Sequence, residues 1–161
     1  MIYILDVKSD QLIKAEIVVP EPSEIPLKKD GWNFNWRESS KQEKSRIFIL
    51  KTIGLNSSVE GTLQLKIENE MLIMNALEIA PHNIGQKNKK YDYVAGCLIA
   101  FACKESFKIK GVYKGFLTFM SKTSLMKWYS KTYGASVGLG QRMFIDSENG
   151  LKLITEYLER K

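Results

Sequence analysis

One stretch constrains the fold more than any other: MLIMNALEIA (71–80), PHNIGQKNKKYDY (81–93) and VAGCLIAFACKESF (94–107) follow one another directly. The first is an almost unbroken apolar run bounded by turn residues, which reads as a strand buried on both faces, as central strands of mixed sheets are. In the third, apolar residues recur at helical spacing. Val94, Leu98 and Phe101 form a stripe that Ala95, Ile99 and Ala102 widen, and Gly96 and Ala100 permit close packing. GVYKGFLTFM, from Gly111, reads as the next strand. Strand, helix and strand in this order predict a right-handed parallel β–α–β unit.

Upstream, IYILDV and LIKAEIVV on either side of the polar KSDQ predict an antiparallel hairpin. Pro20, Pro22 and Pro26 exclude a long helix after it. The segment from Lys28 to Ser45, polar apart from Trp32, Phe34 and Trp36, reads as a loop with room for a short helix. RIFILKTIG from Arg46 and GTLQLKIE from Gly61 read as strands, the second with Leu63, Leu65 and Ile67 on one face. Downstream, SKTSLMKWYSKTYGA predicts a helix ending near Gly134, and QRMFID a last strand. Asp146 or Ser147 then caps a terminal helix carrying Leu151, Ile154 and Leu158. With 161 residues, 44% of them hydrophobic, the chain suits one domain spanning 1–161.

The N-terminus lacks a basic segment with a small-residue cleavage site, and the longest apolar run, Val94 to Cys103, is too short to span a bilayer. A soluble cytoplasmic protein is expected, with no membrane partner. Cys97 and Cys103, six positions apart on one helix, fall on different faces and read as small packing residues, with neither a disulfide nor a metal implied. A net charge of +6 and a pI near 9.2 suit an anionic partner: a phosphate-rich cofactor, RNA, DNA or a membrane surface. No RRM, KH or helix-turn-helix signature singles out nucleic acid, so an RNA-binding module is the weakest of the function classes considered.

The loop between strand and helix narrows the choice. A helix N-terminus presents unpaired backbone N–H groups and the positive end of the macrodipole, and Gln86, Lys87, Lys89 and Lys90 lead into this one. The arrangement suits either a solvated lysine loop or an anion site, in which the N–H groups would hold the anion and the lysines add charge.

From Leu77 onward the chain resembles the GNAT superfamily of acetyl-CoA-dependent N-acetyltransferases, in which a central strand, a pyrophosphate loop, a helix, a strand and a tyrosine-bearing helix occur in this order. The family's loop pattern, Gln/Arg-x-x-Gly-x-Gly/Ala, has its best match in Lys90-Tyr91-Asp92-Tyr93-Val94-Ala95, with Lys90 in the basic place and Ala95 in the final small place. Tyr93 stands where the first glycine is usual. KWYSKTYGA is similar to the family's helix ending in Tyr-x-x-x-Gly-Phe, with Tyr129 in the tyrosine position, one residue more before Gly134, and Ala135 in place of Phe. EIAPHNIG and KWYSKTYGA look most like a bacterial branch, and some related acetyltransferases are toxins acting on charged tRNA.

The resemblance implies an α/β (α+β) fold: a mixed, mostly antiparallel central sheet with a splayed parallel pair of strands and flanking helices. It implies acetyl-CoA as cofactor and direct attack of a primary amine on the thioester. By position, the backbone of Leu77, Glu78, Ile79 and Ala80 would bind pantetheine and the thioester oxygen. Lys89, Lys90, Tyr91, Tyr93, Val94, Ala95 and Gly96 would hold the pyrophosphate, and Lys122 lies where many members have Asn. Tyr129 would protonate the departing thiolate, with Tyr133 as its substitute one helical turn on. Glu78 is the candidate acceptor of the amine's proton. Trp36 and Asn83 are candidates to bind the acceptor, although Trp32 and Trp36 suit equally the anchoring of a polar loop to the core; Asn83 and His82 follow Pro81 at the mouth of the cofactor channel, and no metal is implied.

The acceptor stays open among a peptide N-terminus, a lysine, a polyamine, an aminoglycoside and an aminoacyl-tRNA. Sheet edges and the terminal helix offer surfaces for a homodimer. A GNAT-shaped protein that binds acyl-CoA without turnover is the alternative, because Tyr93 and the unusual tyrosine-helix end depart from the pattern.

Overall fold

The computed structural model describes residues 2–85 and 87–160; Gln86, one of the loop residues named above, lies outside them. The chain opens with the expected hairpin, β1 (Ile2–Asp6) and β2 (Gln11–Val18). Its turn is closed by the Asp10 amide donating to the Asp6 carbonyl at 2.8 Å. The proline-rich and aromatic segment then forms two 3-10 turns and the short helix α1 (Trp36–Ser39), capped by the Asn35 side chain, which accepts from the Glu38 amide.

Strands β3 (Ser45–Thr52), β4 (Val59–Glu68) and β5 (Met71–Ile79) form an antiparallel meander. Asn69 and Glu70 turn β4 into β5 with φ values of 52° and 64°, the paired left-handed residues of a two-residue hairpin whose twist suits the strands. Next come β6 (Tyr91–Asp92), α2 (Val94–Ser106), β7 (Leu117–Met120), α3 (Met126–Tyr133), β8 (Ser136–Val137), β9 (Arg142–Ile145) and α4 (Ser147–Leu153). The nine strands of the described residues make one sheet in the order β6, β1, β2, β3, β4, β5, β7, β9, β8. Every pairing is antiparallel except β5 with β7, the pair joined through α2. The fold is therefore the mixed α/β arrangement expected.

The main core lies between the sheet and α2, which is buried almost all round by β4, β5 and α4. A second, smaller core of Trp32, Trp36, Ile47 and Ala80 lies on the opposite face, since Ile47 alternates with Phe48 along β3. The aromatic loop thus covers the face that the helices leave free.

Four details differ from the sequence reading. GVYKG is a turn, so β7 starts only at Leu117. The two-residue strands β6 and β8 carry no periodic signal of their own. The terminal helix buries Gly150, Leu153 and Tyr157 and leaves Leu151 exposed, and α4 runs on into a π-helical turn, Ile154–Leu158. The apolar run of β5 is not buried on both faces: Asn75 is exposed. The register slips there, from Gln64 opposite Ala76 to Leu65 opposite Met74, leaving Asn75 as the extra residue of a β-bulge.

Candidate active site

That bulge decides which way the rest of β5 faces. Beyond it, Leu77 and Ile79 turn toward the α2 side with Met74, while Ala76, Glu78 and Ala80 turn toward the aromatic loop. Pairing between β5 and β7 is confined to Leu72 with Leu117 and Ile73 with Thr118. From Met74 onward the β7-facing edge of β5 has no strand partner among the described residues, and a cleft opens. One cavity, about 210 Å³, lies between the bulge and α3, walled by Asn75, Leu77, Phe119, Lys122 and Tyr129 with Phe34 at its rim. A second, about 300 Å³, lies between Ile79, the start of α2 (Tyr93–Gly96) and the aromatic residues Trp128, Tyr133 and Tyr157. Both are bounded by β5 and α3, and they share no lining residue.

Tyr129 is held by aromatic packing, with ring centroids 5.0 Å from both Phe119 and Trp128. Burial pushes its phenol above the usual value, so it stays protonated through neutral pH. Tyr133 is buried more deeply, against Trp128 and Tyr157, and burial raises its phenol further. The helix ends at Gly134, whose φ of 70° is a left-handed conformation open to glycine, as the sequence indicated.

At the start of α2, Tyr93 has φ 75°, the conformation a glycine would take most readily. Asp92 offsets part of that cost, its carboxylate accepting from the Tyr93 amide at 2.8 Å. The Arg160 guanidinium lies 3.9 Å from the ring centre on the other side. Gly96 is required by close approach: an added Cβ would sit 2.2 Å from the Tyr157 ring. Val94 is buried, Ala95 and Tyr91 half-buried, and Lys89 lines the cleft with an ion pair to Asp92 at 3.4 Å. Lys90 instead turns out toward β1, over the Tyr91 ring, and with Lys87 faces a separate groove formed with Asp6–Ser9.

Several candidate site residues have other duties or lie elsewhere, and Trp36 takes the anchoring role. Glu78 is buried on the aromatic-loop face, where its carboxylate accepts from the Asn33 amide (2.6 Å), the Phe34 amide (3.1 Å) and the Trp36 indole (2.8 Å). Trp36 is fully buried by that anchoring and lines neither cavity; Phe34 is the loop residue that reaches the first. Both backbone groups of Ala80 are engaged, its N–H with the Glu60 carbonyl and its C=O with the Asn83 amide. Lys122 lies at the Tyr129 end of the cleft, away from the α2 N-terminus.

Asn83 borders the cleft, but its amide is fully engaged. Nδ2 donates to the Glu60 backbone and side chain, and Oδ1 accepts from the Tyr91 amide at 2.9 Å. Glu60, which no motif singled out, is the hub of this cluster. Completely buried, its carboxylate also holds His82 Nε2 at 2.5 Å and the Ser58 hydroxyl. His82 in turn accepts the Lys90 amide on its carbonyl, so one buried carboxylate ties β4 to the loop before α2. The available signal was the alternation of Glu60, Thr62 and Gln64 along β4. That pattern reads as a solvent face, yet all three are buried beneath the aromatic loop.

The thiols of Cys97 and Cys103 are free and buried, and burial pushes both up to about 12. Among the described residues no cluster of His, Cys, Asp and Glu is arranged to hold a metal ion, and no helix is long and apolar enough to cross a membrane.

No family model and no curated protein matches the chain. Solved structures do. The KacTA–DNA complex superposes with a TM-score of 0.62 at 13% identity, over 89% of this chain and 99% of that one. AtaTR bound with acetyl-CoA gives 0.60 at 16% identity, over 89% and 98%. The spermidine/spermine N-acetyltransferase SpeG from Vibrio cholerae gives 0.58 at 15%, over 86% and 98%. The parallel pair, the helix that joins it and the tyrosine-bearing helix across the cleft are therefore parts of a GNAT-like fold shared with these structures.

Proposed function

We propose that this protein is an N-acetyltransferase that moves an acetyl group from acetyl-CoA to a primary amine. The observation that carries the reading is the unpaired edge of β5 beyond Ile73, facing the half-buried phenol of Tyr129 across a narrow cleft. An extended chain with amide groups, such as pantetheine, can complete that edge as an added strand does. The diphosphate then falls at the N-terminus of α2, near Tyr93, Val94 and Ala95, with Lys89 beside it.

In the reaction the neutral amine attacks the thioester carbonyl, the C–N bond forms and the C–S bond breaks. The thiolate takes its proton from the Tyr129 hydroxyl, which solvent reprotonates. The proton lost by the attacking nitrogen leaves to water at the open mouth. Glu78, with three donors on its carboxylate, holds the rim loop in place and is not assigned a proton-transfer role.

Calorimetric titration with acetyl-CoA, paired with detection of released CoA thiol in the presence of amines, tests this directly. Micromolar binding and acceptor-dependent thiol release are expected. Binding without release for any amine would leave a non-catalytic acyl-CoA-binding protein, and no binding by folded protein would remove the assignment.

A further inference from the structure

The bulge residue of β5 carries an amide whose orientation the fold determines. Asn75 is exposed and lines the cavity that Tyr129 also lines. Its Nδ2 donates to Gln64 Oε1 at 2.8 Å. Gln64 is buried beneath the aromatic loop, and its Nε2 lies 3.3 Å from the Ser39 carbonyl, 3.0 Å from Gln42 Oε1 and 3.1 Å from Ser45 Oγ. Two of those neighbours can only accept. A backbone carbonyl has no proton, and the Ser45 hydroxyl has placed its own on the Gln42 carbonyl. Gln64 must therefore present its NH2 to them and its oxygen to Asn75. Asn75 in turn must present its NH2 to Gln64, which leaves Oδ1 without a hydrogen-bond partner among the described residues.

The cavity offers few other side chains that can receive an N–H. Lys122 can only donate, and Tyr129 gives its proton to the thiolate in the step written above. Ser121 is buried, its hydroxyl donating to the Lys122 carbonyl at 2.9 Å. No carboxylate lines the cavity, since Glu78 is turned into the aromatic loop. An attacking amine needs one N–H held so that its lone pair faces the thioester. An amide oxygen holds it without being basic enough to take the proton.

We propose that Asn75 Oδ1 accepts an N–H of the incoming amine and aims its nitrogen at the thioester, with Gln64 as the positioning residue that fixes the amide. The proposal rests on the acetyltransferase reading. The C–N bond forms and the C–S bond breaks as before, and the nitrogen's proton still leaves to water.

The test uses the folded protein saturated with CoA, whose free thiol allows no transfer. It follows the Asn75 side-chain amide by proton–nitrogen NMR, assigned by its loss in Asn75→Ala. Propylamine at neutral pH is the probe, and tetramethylammonium, of equal charge but without an N–H, is the control. Expected is a saturable shift with propylamine alone. Its dissociation constant, read from backbone shifts around the cavity, should rise at least about tenfold in Asn75→Ala. In Gln64→Met it should rise about threefold, and the Asn75 amide protons should exchange faster than in the parent. Calorimetric CoA affinity should stay at the parent value in both variants.

Equal shifts with the two cations, no response to propylamine, or an unchanged propylamine affinity in Asn75→Ala overturns the proposal and leaves the acetyltransferase reading intact. Absence of CoA binding by the folded parent overturns both.

Discussion

The Glu78 carboxylate accepts the Trp36 indole N–H at 2.8 Å, across 42 positions of sequence, and thereby fixes the loop whose Phe34 rims the cleft. Replacement by Gln keeps one acceptor oxygen and turns an amide toward N–H groups. Glu78→Gln should cost about 1–3 kcal/mol in urea denaturation. Its kcat should stay within about threefold of the parent. A proton-accepting role would instead lower kcat by roughly 10²–10⁴-fold, so steady-state kinetics of this variant separates anchor from base.

Tyr129→Phe retains the ring packing against Phe119 and Trp128 and removes only the hydroxyl. Thiol release should fall about 10²-fold or more while acetyl-CoA affinity measured by calorimetry is kept. Tyr133→Phe should change kcat far less, since that side chain lies buried against Tyr157 at the other cavity. If Tyr133 proved to be the sensitive position, the proton donor would move one helical turn.

Tyr93 offers a comparison in which two effects oppose. Both Tyr93→Ala and Tyr93→Gly lose the contact with Arg160 and should be less stable than the parent. Glycine alone is relieved of the left-handed strain at φ 75°. The glycine variant should be more stable than the alanine variant by about 1 kcal/mol in thermal or urea denaturation. Equal stabilities would mean that the φ is not held in solution.

Burial of Cys97 and Cys103 raises both thiols from the ordinary 9.0 to about 12. Raised acids bind more protons folded than unfolded above pH 9, so the stability they contribute is complete below that pH and is lost as pH rises toward 12. Denaturant midpoints should therefore decline from about pH 9 upward, and less steeply in Cys97→Ala with Cys103→Ala. Neither thiol should react with alkylating reagents before unfolding.

Glu60 sets the loop before α2 at one remove, through His82 and Asn83. Glu60→Leu should weaken acetyl-CoA binding about tenfold, because the turn supporting the Lys90 and Tyr91 amides loosens, while kcat at saturation changes little. An equal loss in kcat would place Glu60 nearer the chemistry than the geometry does.

Long periodic segments made the fold legible in the sequence. The apolar run of β5, the stripe of α2 and the glycine stop of α3 each follow from local spacing, and their order limits the topology. The site was less legible, for two physical reasons. The bulge at Asn75 reverses the alternation of β5, so that Leu77 and Ile79 join Met74 while Glu78 and Ala80 face the aromatic loop. No propensity marks that extra residue. Glu60 and Glu78 look like surface charges because the loop covering them is polar and aperiodic, and only the folded chain shows how their carboxylates gather distant N–H donors.

The short pairing of β5 with β7 also bears on how the molecule is held together. Two residue pairs couple a six-strand portion of the sheet to a three-strand portion, with α2 bridging them. A bound chain lying along the open edge would lengthen that seam and add its hydrogen bonds to the coupling. Occupancy should then raise amide-exchange protection on both sides of the cleft together, making the substrate in effect a temporary part of the protein's own architecture.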